Sequence, residues 1–180
     1  VIAISISQRT DPNAVEALAD RLICEETGIT RVIAIDIPKV RSYMHLDTVM
    51  TMVDLDKFTI HPTILPMLKT FSLTKKHGKI VVAQEERGLR ETFMDALHLD
   101  RVDLIACGGG SAIDAAREQW NDGTNTLAVS PGEVIAFSRN YVTNSILRDH
   151  GVIVHEIPSA ELSRGRGGPR CMSMPLWREE

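Results

Sequence analysis

The residues best suited to chemistry lie in the stretch SRGRGGPRCMSMPL, Ser163 to Leu176. There the thiol of Cys171 follows Arg164, Arg166 and Arg170, interleaved with Gly165, Gly167 and Gly168. A free thiol ionises near pH ~8.5, so it needs neighbouring positive charge to act as a nucleophile at neutral pH. The arginines can supply that charge, or they can grip a substrate carboxylate through a bidentate fork. The glycines permit close backbone approach. Two other readings compete: an RGG-like tail that grips nucleic acid, and a solvated terminus. The nucleic-acid reading fares poorly, because the stretch is short, lacks interleaved aromatics and sits in an acidic chain.

A second pair stands at His45 and Asp47, within MHLDTV. The surrounding pattern reads as extended, and the two-residue period of a strand then puts both side chains on one face. An imidazole beside a carboxylate suits a proton-transfer base next to an anchor for a cation. A surface His–Asp pair on a strand is the alternative. CGGGS, from Cys107, lacks the lysine of a P-loop and reads as a turn. EQWNDGTN is rich in turn formers and reads as a tight connection after a helix, still able to line a site. The histidines at 61, 77, 98, 150 and 155 show no metal-ligand spacing with the cysteines, so no metal is expected. Cys24, inside an amphipathic helical pattern, reads as core packing.

Composition narrows the classes. A chain of 180 residues, 43% hydrophobic and 24% charged, is ordinary for one globular domain and wrong for disorder. A net charge of −4 draws it to neither nucleic acid nor an anionic membrane. Three cysteines fit a reducing compartment better than a disulfide framework. With no bilayer-length apolar run and no signal peptide, the sequence reads as cytoplasmic. The chain opens in the apolar run VIAISIS without an initiator Met, which suggests a piece of something longer.

The elements that must position these residues repeat along the chain. In residues 1–39 a strand (IAISIS) leads to a helix capped by Asp11 and Pro12 and closed by Gly28, then to the strand RVIAIDIP. Val15, Leu18 and Leu22 keep helical spacing there. Residues 120–158 run TLAVS, PGEVIAFS, RNYVTNSILRDHG and VIVHEIP, with Arg139 where the first copy has Arg9 and Gly151 where it has Gly28. Residues 40–107 hold HLDTVMTMVD, KFTIHP, an irregular segment with VVAQ, the helix LRETFMDALHL and the strand VDLIAC. Each unit is two strands, a helix and a strand, the first copy lacking its opening strand. Such units cannot bury both faces alone, so an α/β propeller or barrel of ββαβ units is expected. Residues 159–180 would then carry the Cys171 loop and a C-terminal strand.

Taken together, MHLDTV, FTIHP, CGGG, REQWNDGTN, NTLAVSPGEVIAFSRN and SRGRGGPRCM resemble the bacterial arginine deiminases, over essentially the whole chain. That family belongs to the guanidino-modifying, or pentein, superfamily, so the resemblance implies an α/β fold that is part of a five-bladed propeller of ββαβ modules, incomplete in this chain. It also implies hydrolysis of L-arginine to L-citrulline and ammonia, without a cofactor, through a covalent amidino-cysteine. By resemblance Cys171 is the nucleophile, His45 the proton carrier and Asp47 a ligand of the guanidinium. Arg9 (in SQRT) and Arg166 match arginines that bind the substrate carboxylate, and Gly165 matches a backbone contact to substrate. Pro169-Arg170 departs from members that carry Gly-His before the cysteine. The family's F-x-R-D and E-G-G-D contexts, which complete the guanidinium clamp, do not occur in these residues. The missing N-terminal part is therefore an expected partner, along with L-arginine and further copies in a homo-oligomer; nucleic acid and membrane are not. The chain alone is expected to be inactive. A related cysteine hydrolase of agmatine or methylated arginine, and a non-catalytic binding or antigenic fragment, are the alternatives.

Overall fold

The computed structural model describes residues 1–25, 27–165 and 167–177. In chain order they form β1 (Ile2–Ile6), α1 (Pro12–Cys24), β2 (Arg31–Asp36), β3 (Met50–Met52), β4 (Lys57–Ile60), β5 (Lys69–Lys76) and β6 (Lys79–Gln84). There follow α2 (Leu89–Leu97), β7 (Asp103–Ala106), α3 (Ala112–Trp120), β8 (Leu127–Ser130), β9 (Glu133–Phe137), α4 (Tyr141–Asp149) and β10 (Ile153–Ile157). The fold is mixed α/β, with three open sheets and no closed one among the described residues. The chain divides into two compact units, residues 1–46 with 64–102, and residues 47–63 with 103–180.

The first unit is built on the sheet β1-β2-β5-β6. β1 and β2 run parallel, Ile2 opposite Val32, joined by α1 as a crossover. Asp11 caps α1 by accepting from the backbone N–H of Asn13 at 2.8 Å, and Pro12 opens the helix. Val15 and Ala19 are buried against Val32, Ala34 and Leu73. Burial of each large aliphatic side chain there contributes roughly 1.5–3 kcal/mol. Leu18, expected on that face, is exposed: the buried stripe runs through Val15 and Ala19 and on to the half-buried Leu22 and Ile23. Ile33 and Ile35 point the other way along β2 and are also fully buried, which is why RVIAID reads as a continuous apolar run. The segment read as irregular is a hairpin. β5 pairs antiparallel with β2 and with β6, and its Ser, Thr and Lys content hides the strand pattern. Cys24 is half-buried rather than packed in the core, its Sγ 3.5 Å from Asp20.

The second unit holds two smaller sheets, β3-β4-β7 and β10-β9-β8. β8 and β9 pair antiparallel, α4 follows, and β10 returns parallel to β9: the ββαβ order expected for residues 120–158. β3, β4 and β7 pair in the same sense. Residues 40–107 are thus shared between the two units. Val53, Ile105, Val134, Leu147 and Val152 form the second unit's core. After β10 the described residues form turns, including a 3₁₀ turn at Leu162–Gly165, and no strand as far as residue 177. A strand needs a pairing partner, whereas here Met172 N–H and Ser173 N–H donate to the carbonyls of Gly168 and Arg170.

Candidate active site

Asp47, Asn125, Gly168, Arg170 and Cys171 come together in the second unit. Asp47 does not sit in an extended segment: Leu46–Thr48 form a 3₁₀ turn, so the strand-period argument for the 45/47 pair does not apply. The turn is held by side chains. The Asp47 carbonyl accepts from Asn125 Nδ2 at 3.2 Å and from Thr51 Oγ1 at 3.4 Å. The Thr48 carbonyl accepts from Gln119 Nε2 at 2.7 Å and from Thr124 Oγ1 at 2.8 Å. Carbonyls satisfied this way need no strand ladder. The Asp47 carboxylate pairs through Oδ2 with Arg170 Nε at 3.5 Å, while its Oδ1 is buried without a hydrogen-bond partner among the described residues.

Cys171 is exposed, and its backbone N–H donates to Asn125 Oδ1 at 3.1 Å. Its thiol pKa is raised, first by desolvation against the surrounding protein and then by the carboxylates of Asp47 and Asp122. The Asn125 side chain and the Gly168 backbone oppose that rise by hydrogen-bonding the sulfur. Asp122 occupies a left-handed turn position, φ +59°, and burial raises its own carboxyl pKa against the pull of Arg139. Arg139 lies 5.3 Å over the Phe137 ring, with a buried Nε that has no hydrogen-bond partner among the described residues.

The turn 121–125 is anchored from behind. Asn140, the residue before α4, makes no side-chain cap to the helix; its Nδ2 donates instead to the Asn121 carbonyl at 2.9 Å. The cap comes from α3. Fully buried Glu118 accepts from the backbone N–H of Val142 at 3.0 Å and of Thr143 at 2.8 Å, and from the Thr143 hydroxyl. A carboxylate at a helix N-terminus meets both the orphan N–H groups and the positive end of the dipole. Arg117 Nη2 balances it at 3.0 Å. Cys107, in the glycine-rich turn, is buried with its Sγ 3.3 Å from the Thr143 hydroxyl oxygen, and burial pushes its thiol up to about 12. That thiol is inert as a nucleophile.

Of the remaining expected residues, Arg9 and His45 lie in the first unit. Ser7 Oγ donates to the Met44 carbonyl at 2.9 Å and accepts from Arg9 N–H at 3.0 Å, and Arg9 Nη2 reaches Met44 Sδ at 3.4 Å. The SQRT motif and the residue before His45 are therefore tied together. His45 is exposed. Gly165 ends the 3₁₀ turn at 162–165 and is exposed, while Arg166 lies outside the described residues. A surface groove along α1, lined by Asn13, Glu16, Asp20 and Lys79, holds none of these residues. No group of three His, Cys, Asp or Glu among the described residues is arranged to hold a metal ion. No helix among them is long and apolar enough to cross a membrane. Sequence reasoning missed Glu118 and Asn125 as organisers. The signal was their place in REQWNDGTN, where polar residues flank a turn.

Comparison with solved structures finds this mixed α/β fold in proteins of low sequence identity. ArgZ, described as an arginine dihydrolase from the ornithine–ammonia cycle in cyanobacteria, superposes with a TM-score of 0.60 at 17% identity, over 94% of this chain and 21% of its own. AgrE, also solved with L-arginine bound, superposes at 0.58 and 17% identity, over 94% of this chain and 19% of its own. Closer relatives are found by sequence: arginine deiminases of Clostridium perfringens, 55% identical, and Latilactobacillus sakei, 51% identical, each matched over all of this chain and 44% of its own length. The arginine deiminase family model matches residues 1–178. The chain belongs to the arginine deiminase family, and it spans less than half the length of these curated relatives.

Proposed function

We propose that the whole protein hydrolyses L-arginine to L-citrulline and ammonia, and that this chain is its C-terminal part. The observation that carries the proposal is Oδ1 of Asp47, a buried carboxylate oxygen with no partner among the described residues, in the same side-chain cluster as an exposed cysteine. A buried acceptor without a partner is costly, and a guanidinium N–H would satisfy it. The thiol is held above its ordinary pKa, largely by burial and by carboxylates. A cationic substrate placed against Asp47 offsets that negative charge, so binding favours the thiolate at the moment it is needed.

Roles beyond this cluster rest on resemblance to the family. The Cys171 thiolate attacks the guanidinium carbon, forming a C–S bond. The bond to the terminal nitrogen breaks, and ammonia leaves with a proton carried by His45. Water then adds to the S-amidino carbon, its proton passing to His45. The C–S bond breaks, releasing citrulline and restoring the cysteine. Arg9, Arg166 and the Gly165 backbone hold the α-carboxylate at the far end of the substrate. The ββαβ units belong, in this reading, to a five-bladed pentein propeller completed by the rest of the protein, working in the cytoplasm as a homo-oligomer. The chain by itself is then inactive.

A citrulline assay tests this, with arginine and agmatine compared on the full-length protein. We expect arginine to be the better substrate and Cys171→Ser to lose about 10⁴-fold or more. No citrulline from the full-length protein sinks the reading. Robust turnover by the 180-residue chain refutes its dependence on the remaining sequence.

A further inference from the structure

We propose that Asn125 is a positioning residue for the reaction: its side-chain amide locks the backbone of Cys171 to the turn that carries Asp47. Asn125 is fully buried. Its Oδ1 accepts from Cys171 N–H at 3.1 Å and its Nδ2 donates to the Asp47 carbonyl at 3.2 Å. Both ends of one planar, rigid group are thereby used, and the gap between two backbones is set by the size of an amide. Only a side chain with an acceptor and a donor at that spacing does this: aspartate lacks the donor, and leucine lacks both.

The surroundings are cut to fit. A Cβ added to Gly168 would lie 2.5 Å from Oδ1 of Asn125 and 2.7 Å from its Cβ and its carbonyl oxygen. Glycine at 168 therefore lets the Cys171 loop pass directly over the amide. Asn125 is itself fixed, its N–H donating to the Asp122 carbonyl at 3.0 Å. Gln119 and Thr124 brace the same turn through the Thr48 carbonyl. Asn125 reaches across to the cysteine. A displacement of about 1 Å in a reacting group can cost 10²-fold in rate, so the bridge acts on catalysis and not only on folding. Among the described residues the charged groups that act on the thiol are Asp47 and Asp122, and Arg170, next in the chain, pairs with Asp47.

The inference rests on Cys171 as the nucleophile, and its test separates the two. In the full-length protein, the isosteric Asn125→Asp and the truncated Asn125→Ala are compared with the parent. Three readouts apply: kcat and KM for arginine, the pH dependence of Cys171 alkylation by iodoacetamide mapped by peptide mass spectrometry, and thermal unfolding. We expect kcat to fall by about 10²-fold with KM changed by no more than about three-fold. The alkylation midpoint should rise in both variants, more in Asn125→Asp, which loses the donor and gains a charge. An unchanged midpoint, or an unchanged kcat in an active parent, overturns the proposal. So does failure of both variants to fold, which would make Asn125 purely structural. If the parent turns over no arginine, the deiminase reading fails while the alkylation profile still decides the role of Asn125.

Discussion

Arg170 Nε lies 3.5 Å from Asp47 Oδ2, so a guanidinium from the protein's own loop already rests on the carboxylate proposed to hold the substrate's guanidinium. The two cations compete for one anion. The arginine is about half-exposed, and such pairs contribute up to about 1 kcal/mol. We expect Arg170→Ala in the full-length protein to lower KM for arginine by up to about five-fold. Steady-state kinetics checks it, and an unchanged or higher KM means that Arg170 does not compete.

The sign of the charge effects on Cys171 fixes a pH prediction. Desolvation and the carboxylates of Asp47 and Asp122 raise its pKa, so removing either charge must lower it. Asp122→Asn is the cleaner change, because asparagine accepts the φ of +59° at that turn. Asp47→Asn should shift the iodoacetamide alkylation midpoint of Cys171 down further than Asp122→Asn, both giving faster labelling at pH 7. A midpoint that stays put or rises would show that the carboxylates do not act on the thiol. Cys107 should stay unlabelled in the folded protein. Its folded pKa, about 12, lies above its ordinary 9.0. Its proton therefore supports the folded state fully below about pH 9, and that support declines as pH rises towards 12.

Glu118 joins α3 to α4 with no solvent contact. Glu118→Ala strands two buried backbone N–H groups of α4, while Arg117 keeps Asp114 at 3.2 Å and the Tyr141 hydroxyl at 2.7 Å, with an expected loss of about 2–4 kcal/mol. Glu118→Gln keeps the shape and should cost less. Urea unfolding measures both, and a loss below about 1 kcal/mol for the alanine variant would mean that water replaces the carboxylate.

Much of this was legible in the sequence. Asp11-Pro12 fixes where α1 starts, because capping and the proline φ are local. The run TLAVS-PGEVIAFS-RNYVTNSILRDHG-VIVHEIP reads as strand, strand, helix and strand, and it folds so. Cys171 and Asp47 stand out by residue type, and both fall in the second unit. Where sequence reasoning failed, partners distant in sequence were responsible. The hairpin β5–β6 is polar enough to look irregular, and becomes sheet because β2 offers it an edge. The 45–48 segment looks extended, and becomes a 3₁₀ turn because Asn125, Gln119 and Thr124 take its carbonyls from more than seventy residues away. α4 lacks its own side-chain cap and takes one from Glu118.

The sequence by itself determined where α1 starts, the strand–strand–helix–strand order of residues 120–158, and the thiol and carboxylate available for chemistry. These depend on capping, periodicity and residue type, which act between near neighbours. Only the tertiary structure decided that one amide, Asn125, joins Cys171 to Asp47, and that Arg170 sits on that same carboxylate. Hydrogen bonds across 46 and 78 residues of chain leave no periodic trace, because they form only once the fold has brought their partners within 3.5 Å.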